Sequence, residues 1–280
     1  ADTLVAHVAG LRATRAGLER RPLHGLGGAV TRARAPARGL AARLRELGAE
    51  ALETPAIRIE PRPLAGALAD AVDRIGDYAL VCLTSPNGAA LLLDALAARD
   101  RDARALAGAT VAAIGPGTAA ALAERGIRAD VVPERSVAEA LVEALAAVAV
   151  EGRPALVARA AEARDVLPEA LRRRGARVDV VALYDTVPEP LGEETRAALA
   201  RAGYLTFTSS STVRFFLEAA GAPPPGARTV SIGPVTSATL REHGVAVDVE
   251  AARHDIDGLV EALTADAVAR RRAATARPRR

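Results

Sequence analysis

The chain is 280 residues long, more than one compact domain usually holds, and leaves room for two domains with a core each. Apolar residues make up 50% and charged residues 25%, a globular balance that excludes a disordered or collagenous chain. Six arginines (Arg270, Arg271, Arg272, Arg277, Arg279, Arg280) crowd the last eleven positions, so the formal net charge of +3 belongs to the end and the body is slightly negative.

All 37 basic residues are arginine, which excludes Schiff-base chemistry through a lysine amine. One cysteine (Cys82) and four scattered histidines offer neither a disulfide framework nor a zinc site, so no metal and no cofactor is expected. Aromatics at 2% leave few stacking platforms, and no nucleic-acid partner is expected. No apolar run is long enough to span a bilayer and residues 1–22 lack the apolar stretch of a secretory signal, so the expectation is a cytoplasmic, monomeric protein with no membrane contact.

Residues 1–22 form an N-terminal extension. From there the chain alternates β-branched runs with Ala/Leu/Arg/Glu helices stopped by glycines such as Gly48, Gly126, Gly175 and Gly244. This alternation predicts an α/β fold with parallel sheets flanked by helices on both faces. Residues 115–145 align without a gap on 233–263, with 15 of 31 positions identical. Upstream of the two copies stand strand-like runs ending in Thr84-Ser85 and Thr208-Ser209-Ser210. A shorter unit ending at Ala49 matches one ending at Ala176, with Arg32 on Arg159 and Gly48 on Gly175. The order is short, long, short, long.

The connectors decide how these units pair. A turn at Glu151-Gly152-Arg153 joins the first long unit to the second short one, whereas proline-bearing stretches follow each short unit, at Pro55–Pro63 and Leu183–Glu194. The expected organisation is therefore one domain of 23–54 plus 195–265, interrupted by a second over 62–181, with connectors 55–61 and 182–194 and a basic disordered tail from 266 to 280. Tandem domains split near residue 150 are the alternative.

Ligands of open parallel sheets bind beyond the carboxyl ends of the strands, where loops open into helix N-termini. The duplicated Thr-Ser and Gly-Pro-x-Thr sequences fall there: Thr84 and Ser85, Gly115, Pro116 and Thr118, then Thr208, Ser209 and Ser210, Gly233, Pro234 and Thr236. Proline at the first helical position and a Ser or Thr cap suit such starts, whose free N–H groups attract carboxylate or phosphate. The alternative is simply well-capped loops. Gly115-Pro116-Gly117 also fits a dinucleotide-binding pattern, but the second copy has Val235 in the middle and neither copy supplies an acidic residue at the right place. Arg32 and Arg159 either clamp carboxylates or cap a neighbouring helix. Tyr184, on the second crossing, is the candidate proton donor at a ligand cleft; the alternative is an amphipathic ring at a strand end.

From Pro22 to about Leu263 the chain resembles the uroporphyrinogen-III synthase family. The matching stretches are Val30–Ala33, Leu83-Thr84-Ser85 with Asn87, Ile114-Gly115-Pro116 with Thr118, Val157–Arg159, Tyr184-Asp185-Thr186, Phe207–Val213, and Ile232-Gly233-Pro234 with Thr236. The resemblance implies two interleaved α/β domains joined by a two-stranded connector. It implies an enzyme, a hydro-lyase of heme, siroheme and cobalamin biosynthesis, that takes the linear tetrapyrrole hydroxymethylbilane, closes it with inversion of the last ring and releases water without a cofactor. Tyr184 matches the tyrosine thought to help the hydroxyl depart, and Thr118 and Thr236 match cleft threonines. The opening residues look like the end of a uroporphyrinogen-III methyltransferase running into a synthase, or are a degenerate extension. The competing class is a non-catalytic two-lobed binding module, which needs no proton donor.

Overall fold

The computed structural model describes residues 21–31 and 34–276. Among them the chain divides into two compact units: residues up to Arg58 together with those from Pro188 onward, and the uninterrupted stretch Ile59–Val187.

The discontinuous unit is built on five strands, β1 (Gly27–Val30), β2 (Glu50–Glu53), β8 (Tyr204–Phe207), β9 (Arg228–Ser231) and β10 (Val249–Glu250), in the order β10-β9-β8-β1-β2. All neighbours run parallel, and Gly28 stands opposite Tyr204 and Ala51. The contiguous unit orders β3 (Ile57–Pro61), β4 (Leu80–Leu83), β5 (Thr110–Ala113), β6 (Pro154–Ala160) and β7 (Arg177–Pro188) as β3-β7-β6-β4-β5. Here β4, β5, β6 and β7 are parallel, and an isolated bridge from Ala112 to Val131 stands where β10 lies in the other unit. Each sheet thus combines one short repeat with one long one: β1 and β2 join β8 to β10, and β6 and β7 join β4 and β5.

Strand residues alternate between two apolar layers because helices cover both faces. In β4, Val81 and Leu83 face Leu92, Leu96 and Leu122, while Leu80 and Cys82 face Leu141, Leu167 and Leu171. In the other unit Val30 packs with Leu40, Leu44, Leu259 and Leu263, and Ala29 with Leu205, Phe207 and Phe216. Phe207 and Phe216 meet edge to face at 5.3 Å. Gly48, Gly126, Gly175 and Gly244 all have φ between +74° and +93°, the left-handed conformation that ends a helix.

The crossings over 55–61 and 182–194 form the expected two-stranded connector, and both also belong to a sheet. β3 and β7 are strands of the second sheet: the Arg62 N–H donates to the Leu183 carbonyl and the Glu189 N–H to that of Ala56, an antiparallel pairing. The expected disordered tail from 266 is corrected. A helix runs from Ile256 to Ala276, since the stripe of Leu259, Leu263 and Ala267 continues past that point into the core. Asp266 anchors it, accepting from the Tyr204 hydroxyl at 2.8 Å and from Arg228 at 2.8 and 2.9 Å. The first 20 residues of the N-terminal extension and residues 277–280 lie outside the described residues. No helix among the described residues is long and apolar enough to cross a membrane.

Candidate functional site

In the contiguous unit the parallel strands end at Leu83, Ala113 and Ala160, and two helices start immediately beyond the first two. Ser85 caps the helix Pro86–Ala97: its backbone is extended and its Oγ accepts the Gly88 N–H at 2.9 Å, with Pro86 at the first helical position. Gly115 and Pro116 open the helix Pro116–Ala123 with an extended backbone and the same proline placement but no side-chain cap, and Thr118 is buried in its first turn. Thr84 is half-buried at the end of β4.

Tyr184 joins this edge from β7. It is only 5% exposed, and its hydroxyl lies 2.8 Å from Ser85 Oγ. Burial pushes its pKa up, while hydrogen bonds from Ser85 and Asn87 pull the other way. It therefore stays protonated at neutral pH. Tyr78 and Tyr204, the other two tyrosines, are bonded instead to Asp179 at 2.7 Å and Asp266 at 2.8 Å. Cys82 is fully buried in β4, where desolvation pushes its thiol up to about 12, so it is inert core.

Arg159, at the end of β6, donates to the Arg164 carbonyl at 2.9 Å and to Asp165 at 2.7 Å. Asp165 directly precedes the helix Val166–Arg173, so the guanidinium closes the turn into that helix. Arg164 continues the tie with a two-pronged pair to Glu139 and holds that carboxyl below its usual range. Arg32, its repeat counterpart, lies outside the described residues.

The discontinuous unit repeats the design. Ser209 caps the helix Ser210–Ala220, accepting the Thr212 N–H at 3.2 Å, and Thr208 is half-buried beside it. Gly233 and Pro234 open the helix Pro234–Glu242, with Thr236 buried in its first turn. Ser210 links the two helices by accepting from Thr239 at 2.7 Å. Thr31 is wholly buried at the end of β1 and donates to the Thr206 carbonyl at 2.7 Å.

Two further residues complete these starts and were not singled out by the sequence. A Cβ on Gly115 would fall 2.8 Å from Ser136 Cβ, and one on Gly233 would fall 2.8 Å from the His254 ring. Ser136 and His254 occupy equivalent repeat positions, each laid over a glycine at a helix start. The available signal was an unlike pair at a fixed distance from an unchanged Gly-Pro. Backbone N–H groups and hydroxyls, with the Tyr184 phenol, are the chemistry these edges offer. That set suits an anionic ligand and a proton transfer.

A family profile described as uroporphyrinogen-III synthase HemD matches residues 38–261. The uroporphyrinogen-III synthase of Synechococcus elongatus is 33% identical over 254 residues, covering 86% of this chain and 96% of that protein. The porphyrin biosynthesis protein HemD of Ruminiclostridium josui is 32% identical over 248 residues, covering 87% of this chain, which spans only 49% of that longer protein. Among solved structures, a mutant uroporphyrinogen III synthase from the extremely thermophilic bacterium Thermus thermophilus is similar with a TM-score of 0.60 at 24% identity, covering 88% of this chain and all of that one. The enzyme from Helicobacter pylori 26695 gives 0.56 at 17% identity, covering 86% and 99%. These two likenesses establish the shared fold. On the profile and the Synechococcus relative, the chain belongs to the uroporphyrinogen-III synthase family.

Proposed function

We propose that the chain cyclises hydroxymethylbilane to uroporphyrinogen III, with inversion of the last pyrrole ring and loss of water, and that Tyr184 is the proton donor. The observation that carries the donor role is the Tyr184 hydroxyl, buried at the carboxyl edge of a parallel sheet and 2.8 Å from the Ser85 cap. The bond between the terminal carbon and its hydroxyl breaks as the phenol delivers its proton, and the oxygen leaves as water. Ring closure then releases a proton, which restores the phenol. A dry phenol suits this step because the cation left behind would be quenched by bulk water.

Substrate carboxylates are held by the helix starts at Thr84, Ser85, Gly115, Pro116 and Thr118, and at Thr208, Ser209, Ser210, Gly233, Pro234 and Thr236. Their helix dipoles favour negative charge without a basic side chain. Arg32 and Arg159 are the cationic candidates, of which Arg159 is already engaged with Asp165.

Incubation with freshly generated hydroxymethylbilane, followed by separation of the product isomers, tests the activity. Isomer III above the spontaneous isomer I supports the proposal; isomer I alone leaves a binding module. We extend the proposal to a monomeric cytoplasmic enzyme that works beside, or fused to, a methyltransferase. Light scattering of the purified chain and the sequence of the full gene product test those points.

A further inference from the structure

β6 and β7 stay in register as far as Arg159 opposite Ala182, but resume with Ala160 opposite Tyr184. Leu183 is thus an extra residue, and an extra residue resets the in-out alternation of a strand. Val181, Leu183 and Tyr184 accordingly all pack in one apolar layer, where strict alternation would have turned Tyr184 to the opposite face. The bulge delivers the phenol to the helix Pro86–Ala97. A Cβ on Gly88, in that helix's first turn, would lie 3.1 Å from Ser85 Oγ, 3.6 Å from Leu183 Cδ1 and 3.7 Å from the Ala158 carbonyl. Helix start and bulge are in direct contact.

Ser85 Oγ has one proton and two lone pairs. The Gly88 N–H occupies one lone pair at 2.9 Å, and the Tyr184 oxygen lies 2.8 Å away on another side. We propose that Ser85 is a positioning residue that donates its proton to the Tyr184 oxygen, so that the phenol proton is turned outward to the departing hydroxyl. The helix start fixes Ser85, Ser85 fixes the phenol rotor, and the bulge sets the ring. Asn87, from the same turn, adds a second donor that favours the phenolate left after transfer. Charged groups on the flanking elements are engaged elsewhere: Asp185 on β7 with Arg62, both contacts at 2.8 Å, and Arg159 on β6 with Asp165. Glu162, in the loop after β6, also has partners of its own.

This assignment rests on the proton-donor reading of Tyr184, and the test separates the two. Ser85→Gly removes the hydroxyl while keeping an acceptable helix cap, and Ser85→Thr restores the hydroxyl. With ring-labelled tyrosine, the Tyr184 phenol titration is followed by carbon NMR in the free protein, its signal assigned by its loss in Tyr184→Phe. The expected result is a higher Tyr184 titration midpoint in Ser85→Gly, return towards wild type in Ser85→Thr, and kcat lowered about tenfold to a hundredfold with KM little changed. The kcat effect should vanish when Tyr184 is already Phe. An unshifted titration in Ser85→Gly, or an equal kcat loss in both backgrounds, overturns the positioning role while Tyr184→Phe remains slow. A Tyr184→Phe enzyme with wild-type rate and isomer ratio overturns the donor reading itself. If Ser85→Gly does not fold, Ser85→Ala goes through the same titration and the same cycle.

Discussion

Asp130 and Asp248, at equivalent positions of the duplicated segment, make the same hydrogen bond: each Oδ2 accepts a backbone N–H at 2.8 Å, from Val111 and from Thr229. Those two donors are themselves equivalent, at or next to the start of β5 and β9. The duplication has therefore kept individual contacts as well as strand order.

The Gly-Pro helix starts follow the same logic. Both glycines have extended backbones that any residue adopts, so what selects glycine is the side chain above it. Gly115→Ala should destabilise the protein by about 1–3 kcal/mol, because the Ser136 Cβ cannot rotate away. Adding Ser136→Gly should recover most of the loss. Urea unfolding of the single and double variants checks this, and additive losses would contradict it.

Tyr184→Phe should lower turnover by about 10²- to 10⁴-fold, the usual worth of a general acid, with a small effect on stability. The product should drift towards the uninverted isomer, because unconverted hydroxymethylbilane closes spontaneously. Tyr78→Phe and Tyr204→Phe should leave the rate near wild type, as their hydroxyls are bonded to Asp179 and Asp266. Initial rates with isomer separation decide; wild-type behaviour of Tyr184→Phe would remove its catalytic role.

Asp266 gathers the Tyr204 hydroxyl and both prongs of Arg228 in a half-buried cluster, with Asp248 as a second partner for Arg228 at 3.1 Å. Asp266→Ala should cost about 1–3 kcal/mol and loosen the helix Ile256–Ala276, while Tyr204→Phe costs about 1 kcal/mol. Burial, then the bond to Asp266, raises the Tyr204 pKa. The fold thus favours the neutral phenol, a contribution complete below pH 10 and lost as pH climbs towards the raised value. Thermal unfolding between about pH 8 and 11 should fall more steeply for wild type than for Tyr204→Phe.

At the acid end the sign reverses for Glu139. Its bond to Arg164 depresses its pKa below the ordinary 4.5, so the pair stabilises the fold above that pH and fades as pH drops through the lowered value. Both side chains are about half exposed, which keeps the effect under roughly 1 kcal/mol. Glu139→Gln should show a flatter decline of melting temperature between about pH 5 and 3, measured by circular dichroism.

Much of the fold was legible because it rests on local chemistry. Gly48 and Gly175 end helices, Pro116 and Pro234 begin them, and the short turn at Gly152 requires β6 to follow the first long repeat into one sheet. Less local features were hidden. The run from Val180 to Val187 gives no sign that Leu183 is the extra residue, since a bulge depends on the partner strand. The triplet Arg270–Arg272 suggested a solvated end, although Leu259, Leu263 and Ala267 already mark the stripe that docks the helix. For the candidate site, Ser85 and Tyr184 were each visible as residue types, but their 2.8 Å contact joins positions far apart in sequence.

The insertion of one unit into the other imposes an order on synthesis. β1 pairs with β8, and the nearby bond from Thr31 to Thr206 spans 175 residues. At roughly 5–20 residues per second on the ribosome, β1 has β2 soon after it but waits about 10–35 s for β8 to emerge. The contiguous stretch Ile59–Val187 holds β4, β5 and β6 whole and most of β3 and β7, and the Arg62–Leu183 bond within it spans fewer residues than the Thr31–Thr206 bond. The middle unit can therefore close while β1 has only β2 beside it. The small side chains of Gly27, Gly28 and Ala29 make that waiting strand a poor target for stray hydrophobic association.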